Sequence, residues 1–196
     1  MENKNCDGCC SLQLPTPSKY YETYVKLASA RMIFLSENLT KEVAAQMSAM
    51  LLYYDSLNHE DIEIYIHSNG GDASALVNIY DVMQIVKSPI QTVCLGKAYS
   101  AAAILLAAGT KGKRFVLKHS SVMLHGIQCG FPIVGHDQIN SKSYFEFLKN
   151  NENGILKIVA KHTGNPFNKV KEDCNRDMYL NAVEAIEYGV VDYILY

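Results

Sequence analysis

The sequence predicts an α/β domain, and three observations carry that prediction. Apolar residues at Val43, Met47, Met50, Leu51, Tyr54 and Leu57 recur at three- and four-residue steps, which gathers them on one face of a helix. Ile62, Ile64 and Ile66 then alternate with other residues, the period of a strand with one buried face. The same switch between periods repeats further along the chain, and strands alternating with helices build an α/β fold.

Taken in order, residues 1–19 hold Gly8, Pro15 and Pro17 among polar residues and carry no hydrophobic period. They read as a tail ahead of one domain spanning 20–196. The domain opens with a short helical stretch through Tyr24 and Leu27, followed by Arg31 to Leu35 as a buried strand. Thr40 supplies an N-cap for the helix that begins before Val43. Asp61 to His67 is the next strand, ended by Gly70-Gly71. A second amphipathic helix through Leu76, Ile79, Tyr80, Met83 and Val86 stops at Ser88-Pro89, because proline excludes the helical state for its predecessor. Ile90 to Leu95 forms a strand and runs through Gly96 into an alanine-rich helix from Ser100, with Gly109 as its C-terminal stop. Arg114 to Leu117 and Ser121 to His125 are two short strands. From Gly126 to Gly135 the chain is punctuated by glycine, and the helical stretch that follows, through Phe145, Leu148, Ile155, Leu156 and Val159, is too long to sit wholly on the core. A helix after Pro166, the segment Asn175-Arg176-Asp177, a short helix closed by Gly189 and a strand from Val190 to Leu195 complete the chain.

Composition narrows the function classes. A chain of 196 residues with 48% hydrophobic residues buries one sizeable core but has no room for two independent enzymes. Eighteen basic against twenty acidic residues give a net charge of −2, and no Lys/Arg run is present to follow a phosphate backbone, which argues against a nucleic-acid partner. The N-terminus lacks a basic segment followed by an apolar one, and the longest apolar run, Ala98 to Ala108, falls short of the roughly 20 residues that span a bilayer. A soluble, cytoplasmic protein with no membrane partner is expected. Three of the six cysteines, Cys6, Cys9 and Cys10, crowd into the tail. Completing a metal site would require Cys94, Cys129, Cys174 or scattered histidines, none at ligand spacing, so a reduced tail is the simpler expectation.

Chemistry concentrates where the Ile90–Leu95 strand turns through a glycine into the small-residue helix at Ser100. At a helix N-terminus the backbone N–H groups lack intrahelical partners and point toward any developing oxyanion, with the N–H of Ala101 as the first donor. A serine there is, on its own, more often a plain N-cap. Among the histidines, His59 and His162 fall at ordinary surface positions and His136 in a loop, which leaves His67, His119 and His125 as possible bases. His125 is delivered at the end of the apolar strand Val122-Met123-Leu124, a rigid position for a base, although a lone histidine there is more often structural. Gly70-Gly71 is either a turn needing positive φ or a second oxyanion donor.

Taken together, Tyr65-Ile66-His67-Ser68-Asn69-Gly70-Gly71, Ile79-Tyr80-Asp81-Val82-Met83, Gly96-Lys97-Ala98-Tyr99-Ser100-Ala101-Ala102, Gly112-Lys113-Arg114, Met123-Leu124-His125, Asn175-Arg176-Asp177 and the ending Ala185 to Asp192 resemble the Clp protease proteolytic subunit, in order from about Arg31 onward. The resemblance implies a crotonase-like spiral of ββα units with a projecting handle helix, at about 126–163. It implies Ser100 as nucleophile, His125 as general base, Asp177 as the carboxylate that holds the imidazole tautomer, and the N–H groups of Gly71 and Ala101 as the oxyanion hole. It also implies two stacked seven-membered rings of this chain, with Arg176 in the ring-to-ring contact, unfolded polypeptide as substrate, a separate hexameric AAA+ unfoldase as partner, and no metal or organic cofactor. Against the family pattern, Asn69 stands where a proline is usual, His67 where an asparagine is, Ala101 for methionine, and Gly126-Ile127 for Gln-Pro. Asparagine tolerates strained turns, and an oxyanion donor that is a backbone N–H does not depend on its side chain.

Two other classes fit parts of this pattern. One is an inactive or weakly active ring subunit that regulates a companion peptidase. The other is an acyl-thioester enzyme of the crotonase fold, which shares the oxyanion hole without needing an aligned serine, histidine and aspartate.

Overall fold

The computed structural model describes residues 21–126 and 138–196. The expected tail, 1–19, and most of the glycine-punctuated start of the handle lie outside the described residues. Among those described, seven helices and a seven-stranded sheet form the mixed α/β architecture that the alternation of periods predicts. No helix among them is long and apolar enough to cross a membrane.

The sheet grows from helix α1 (Tyr21–Ser29) into β1 (Met32–Leu35), helix α2 (Lys41–Leu57), β2 (Ile62–Ser68) and helix α3 (Ala73–Ile85). Thr40 Oγ1 accepts the N–H of Val43 and Asp72 accepts that of Ala75, so both helices start on a side-chain oxygen that satisfies an orphan donor. β1, β2 and β3 (Ile90–Tyr99) pair in parallel, with Ile62, Ile64 and Ile66 of β2 inside the core. Helix α3 ends at Ile85 with Val86 extended, ahead of the expected stop at Ser88-Pro89. The Asp55 carboxylate accepts the N–H groups of Lys87 and Ser88 and the Ser88 hydroxyl, which fixes that segment in a non-helical path.

β3 does not end at Leu95 but continues through Gly96 to Tyr99. Between paired positions β2 advances from Ile66 to Ser68 while β3 advances from Cys94 to Ala98, so β3 carries a bulge. Gly96 sits in it at φ 82°, and the buried Ser120 hydroxyl accepts the Gly96 N–H at 2.7 Å while donating to Cys94 O at 3.1 Å. The bulge lets one strand serve two partners. Before it, Thr92 to Cys94 pair with β4 (Arg114–Leu117), and after it Lys97 to Tyr99 pair with β5 (Ser121–Leu124). Helix α4 (Ala101–Ala107) follows β3 directly in sequence and is buried along its whole length.

Gly109 does not adopt the left-handed conformation of a helix stop; Ala108 caps α4 with a right-handed backbone. Glycine is required there for room, because a Cβ would lie 2.5 Å from Thr92 Oγ1. The chain finishes with α5 (Gln138–Thr163), α6 (Phe167–Asp173), β6 (Met178–Leu180), α7 (Ala182–Tyr188) and β7 (Tyr193–Leu195). Asn181 and Glu184 form a capping box on α7, and Gly189 closes it at φ 89° as the sequence predicts. The last strand starts at Tyr193 rather than Val190, because Val190 and Val191 bond back to Ala185 O.

One buried ion pair ties these ends together. Arg114, 1% exposed, donates through Nη2 and Nε to the two oxygens of Asp192 at 2.7 and 2.9 Å, and through Nη1 to Ala107 O and His162 O. Burial opposes the Asp192 charge, but hydrogen bonds from Arg114 and Lys111 outweigh it and hold the carboxyl well below the ordinary range. Its contribution to stability is therefore fully present above the unfolded carboxyl pKa and is lost as pH falls through the lower folded value. Asp192→Ala strands the buried guanidinium and is expected to cost about 3–5 kcal/mol in urea denaturation at neutral pH. The gap between wild type and variant should narrow in acid.

Candidate active site

Ser100 stands at the junction of β3 and α4 with φ 55° and ψ −125°, one of two non-glycine residues at positive φ among those described. A non-glycine residue held there stores about 1–3 kcal/mol and needs surrounding structure to keep it in place. Two contacts supply that structure. The Ser100 N–H donates to Met123 O of β5 at 2.8 Å, and Ser100 O accepts from Ala103 and Ile104 in the first turn of α4. Its side chain makes no capping bond, so Ser100 caps α4 through its backbone alone and its hydroxyl is not spent on the helix.

The double glycine packs against this turn. A Cβ on Gly70 would lie 2.6 Å from Tyr99 O and 2.9 Å from Ala101 N, so only glycine lets the two segments touch. Leu39 N donates to Gly70 O and Leu39 O accepts from Asp72 N, a parallel bridge that spends the groups on either side of Gly71. The Gly71 N–H is thereby left on the opposite edge of the segment. The Ala101 N–H, first in α4, likewise has no helical acceptor. Two backbone donors flank the Ser100 turn.

His125 follows directly on β5, and its Nε2 lies 2.8 Å from Ser100 Oγ. That distance allows the hydroxyl to pass its proton to the imidazole. β5 and β6 are antiparallel with Leu124 opposite Met178, and one step further along this register His125 faces Asp177. A 2.7 Å bond from Gly126 N–H to Cys174 O ties the two segments just beyond the pair. Nδ1 of His125 and Oδ1 of Asp177 are 3.7 Å apart, an ion-pair separation longer than a hydrogen bond, with the Asp177 side chain 48% exposed and that of His125 15%. The structure thus brings Ser100, His125 and Asp177 together in a line.

The other candidates fall elsewhere. His67 is exposed and its Nδ1 is bound to Leu95 O at 2.5 Å, while His119 is exposed and bonds to neither Ser100 nor His125. His162 is not the ordinary surface residue the sequence suggests: it is half-buried, its ring contacts the Tyr80 hydroxyl and its carbonyl receives Arg114. Arg176 is exposed beside Asp177. Cys94 and Cys174 are buried, and burial pushes their thiols up to about 12 and about 11, which makes them poor nucleophiles. Among the described residues no three His, Cys, Asp or Glu side chains are grouped to hold a metal; Cys6, Cys9, Cys10 and Cys129 lie outside them.

A model of the family described as Clp protease matches residues 16–196. The chain belongs to the Clp protease family. Membership makes it a protease subunit, and the α/β sheet with its bulged β3 is the Clp protease fold of this chain. Sequence reading missed β6, the strand that sets Asp177 opposite His125, and the Ser120 staple on the Clp sheet's bulge. Neither leaves a mark in the sequence beyond a serine pair and three residues without alternation.

Proposed function

We propose that this chain is a serine endopeptidase working by acyl transfer, and the 2.8 Å contact between Ser100 Oγ and His125 Nε2 at a positive-φ turn carries the proposal. Ser100 Oγ attacks the scissile carbonyl as its proton passes to Nε2. The N–H groups of Gly71 and Ala101 receive the tetrahedral oxyanion. His125 then protonates the departing amine, leaving an ester on Ser100 that an activated water hydrolyses. Asp177 fixes the proton on Nδ1 and stabilises the imidazolium.

An extended peptide adds as a strand beside the Gly71 segment. A largely apolar cavity of about 440 Å³, lined by Ala73, Val77, Ile155 and Ile158, begins two residues beyond Gly71 and suits an apolar side chain of that peptide. In this proposal the chain forms two stacked seven-membered rings in the cytoplasm, Arg176 contributes to the contact between rings, and a separate AAA+ unfoldase delivers unfolded polypeptide. No metal or organic cofactor enters any step.

Gly71→Ala places a Cβ 2.4 Å from Leu39 O at φ 150°, which displaces the donor. A loss of about 10²- to 10³-fold in kcat is expected, read from hydrolysis of a fluorogenic peptide. The 48% exposure of Asp177 and its 3.7 Å gap favour a second reading, an inactive or weakly active subunit that regulates a companion. Assay of the purified assembly separates the possibilities. Peptide hydrolysis supports the peptidase, no hydrolysis by an intact assembly supports the regulatory subunit, and turnover of an acyl-thioester instead supports the crotonase-type enzyme.

A further inference from the structure

Where the C-terminal end of α5 meets the connection from α4 to β4 there is a cavity of about 430 Å³ that shares no lining residue with the Ser100 site. Lys111, Arg114, Lys161 and His162 line it, and no aspartate or glutamate does. The carboxylate in contact with these groups, Asp192, already binds Arg114 through both oxygens and Lys111 at 3.0 Å, so one negative charge meets two positive ones. Lys161 has no carboxylate partner among the described residues. Its ammonium is held by neutral oxygens, the Tyr80 hydroxyl at 3.3 Å and Gln84 Oε1 at 3.2 Å.

Thr163 spends its hydroxyl hydrogen on Val159 O, but two other groups, His162 and Thr110, keep a hydrogen to give. Because the Tyr80 oxygen accepts from Lys161, its own proton is free for His162 Nε2, 3.2 Å away, which leaves the ring hydrogen on Nδ1. Burial, then Lys161 and Arg114, pull this imidazole down to about 4, as a neutral ring in a positive field requires. Thr110 Oγ1 accepts the Ile90 N–H at 2.9 Å and keeps its hydroxyl hydrogen to give. A concave site with surplus positive charge and spare donors is complementary to an oxyanion.

We propose that this cavity binds a small, multiply charged oxyanion, inorganic phosphate or a short condensed phosphate, with Lys161 and Lys111 as its charged donors. The volume has room for pyrophosphate as well as phosphate, and the higher charge of pyrophosphate against Lys161 and Lys111 favours it. Isothermal titration of the assembled protein with sodium pyrophosphate and with sodium phosphate, at ionic strength held constant with sodium chloride, tests this. Saturable pyrophosphate binding is expected, weakened about tenfold or more by Lys161→Gln. Lys111→Gln, at a side chain 75% exposed, carries the same expectation and decides the matter if K161Q fails to assemble. Absence of saturable heat at matched ionic strength, or binding unchanged in the variants, overturns the proposal.

Discussion

Ser100→Ala should lower peptide turnover by roughly 10⁴- to 10⁶-fold while leaving the fold intact. Alanine removes only Oγ, which makes no capping bond to α4, whereas the contacts that hold the turn, Ser100 N–H to Met123 O and Ser100 O to Ala103 and Ile104, belong to the backbone. Alanine is strained at φ 55° much as serine is, so unfolding should shift little. In the proposed mechanism the proton acceptor and the nucleophile act as one unit. His125→Ala alone should therefore cost about as much as S100A, and the double variant should cost scarcely more than either. Two losses that multiplied would mean that Ser100 and His125 act separately.

Asp177→Asn carries the second-largest expectation, a fall in kcat of roughly 10³- to 10⁴-fold. At 3.7 Å from Nδ1 and 48% exposed, the carboxylate is a screened partner, and a pair left in that geometry contributes little. The large loss follows only if substrate or assembly draws Asp177 within hydrogen-bond reach of the ring, which the antiparallel register of β5 and β6 and the Gly126 to Cys174 tether leave within a short movement. Asparagine keeps the volume but can present its amide to Nδ1, favouring the wrong tautomer. Steady-state kinetics should show the fall in kcat with KM nearly unchanged. A loss below about tenfold would mark Asp177 as a surface charge and would favour the regulatory subunit.

How far these features are legible in the sequence depends on whether local chemistry alone determines them. α2 is legible because Thr40 caps it and its apolar residues keep helical spacing, and β2 because three isoleucines alternate. β6 is not, since three residues cannot show a period and its only reason to be a strand is the edge that β5 offers. Gly96 and Gly109 are visible as glycines, but their roles come from neighbours distant in sequence, Ser120 for the bulge and Thr92 for the close approach. His162 looks superficial because nothing local announces that Arg114 and Tyr80 close over it.

The site divides in the same way. Ser100 at a strand-to-helix turn and His125 at a strand end are each commonplace, and only the ordered set of motifs singles them out. The 2.8 Å contact then depends on β3 crossing from β4 to β5 through its bulge, a tertiary arrangement. The placement of Asp177 opposite His125 is set by the backbone of an adjacent antiparallel pair, which no residue type encodes.

Reaction of the assembled protein with a fluorophosphonate, followed by peptide mapping, tests the central claim most directly. One adduct on Ser100, absent from H125A and from denatured protein, is the predicted result. Hydrolysis of peptides by an assembly whose Ser100 stays unmodified at full inhibition, or an adduct on a different serine, would contradict it.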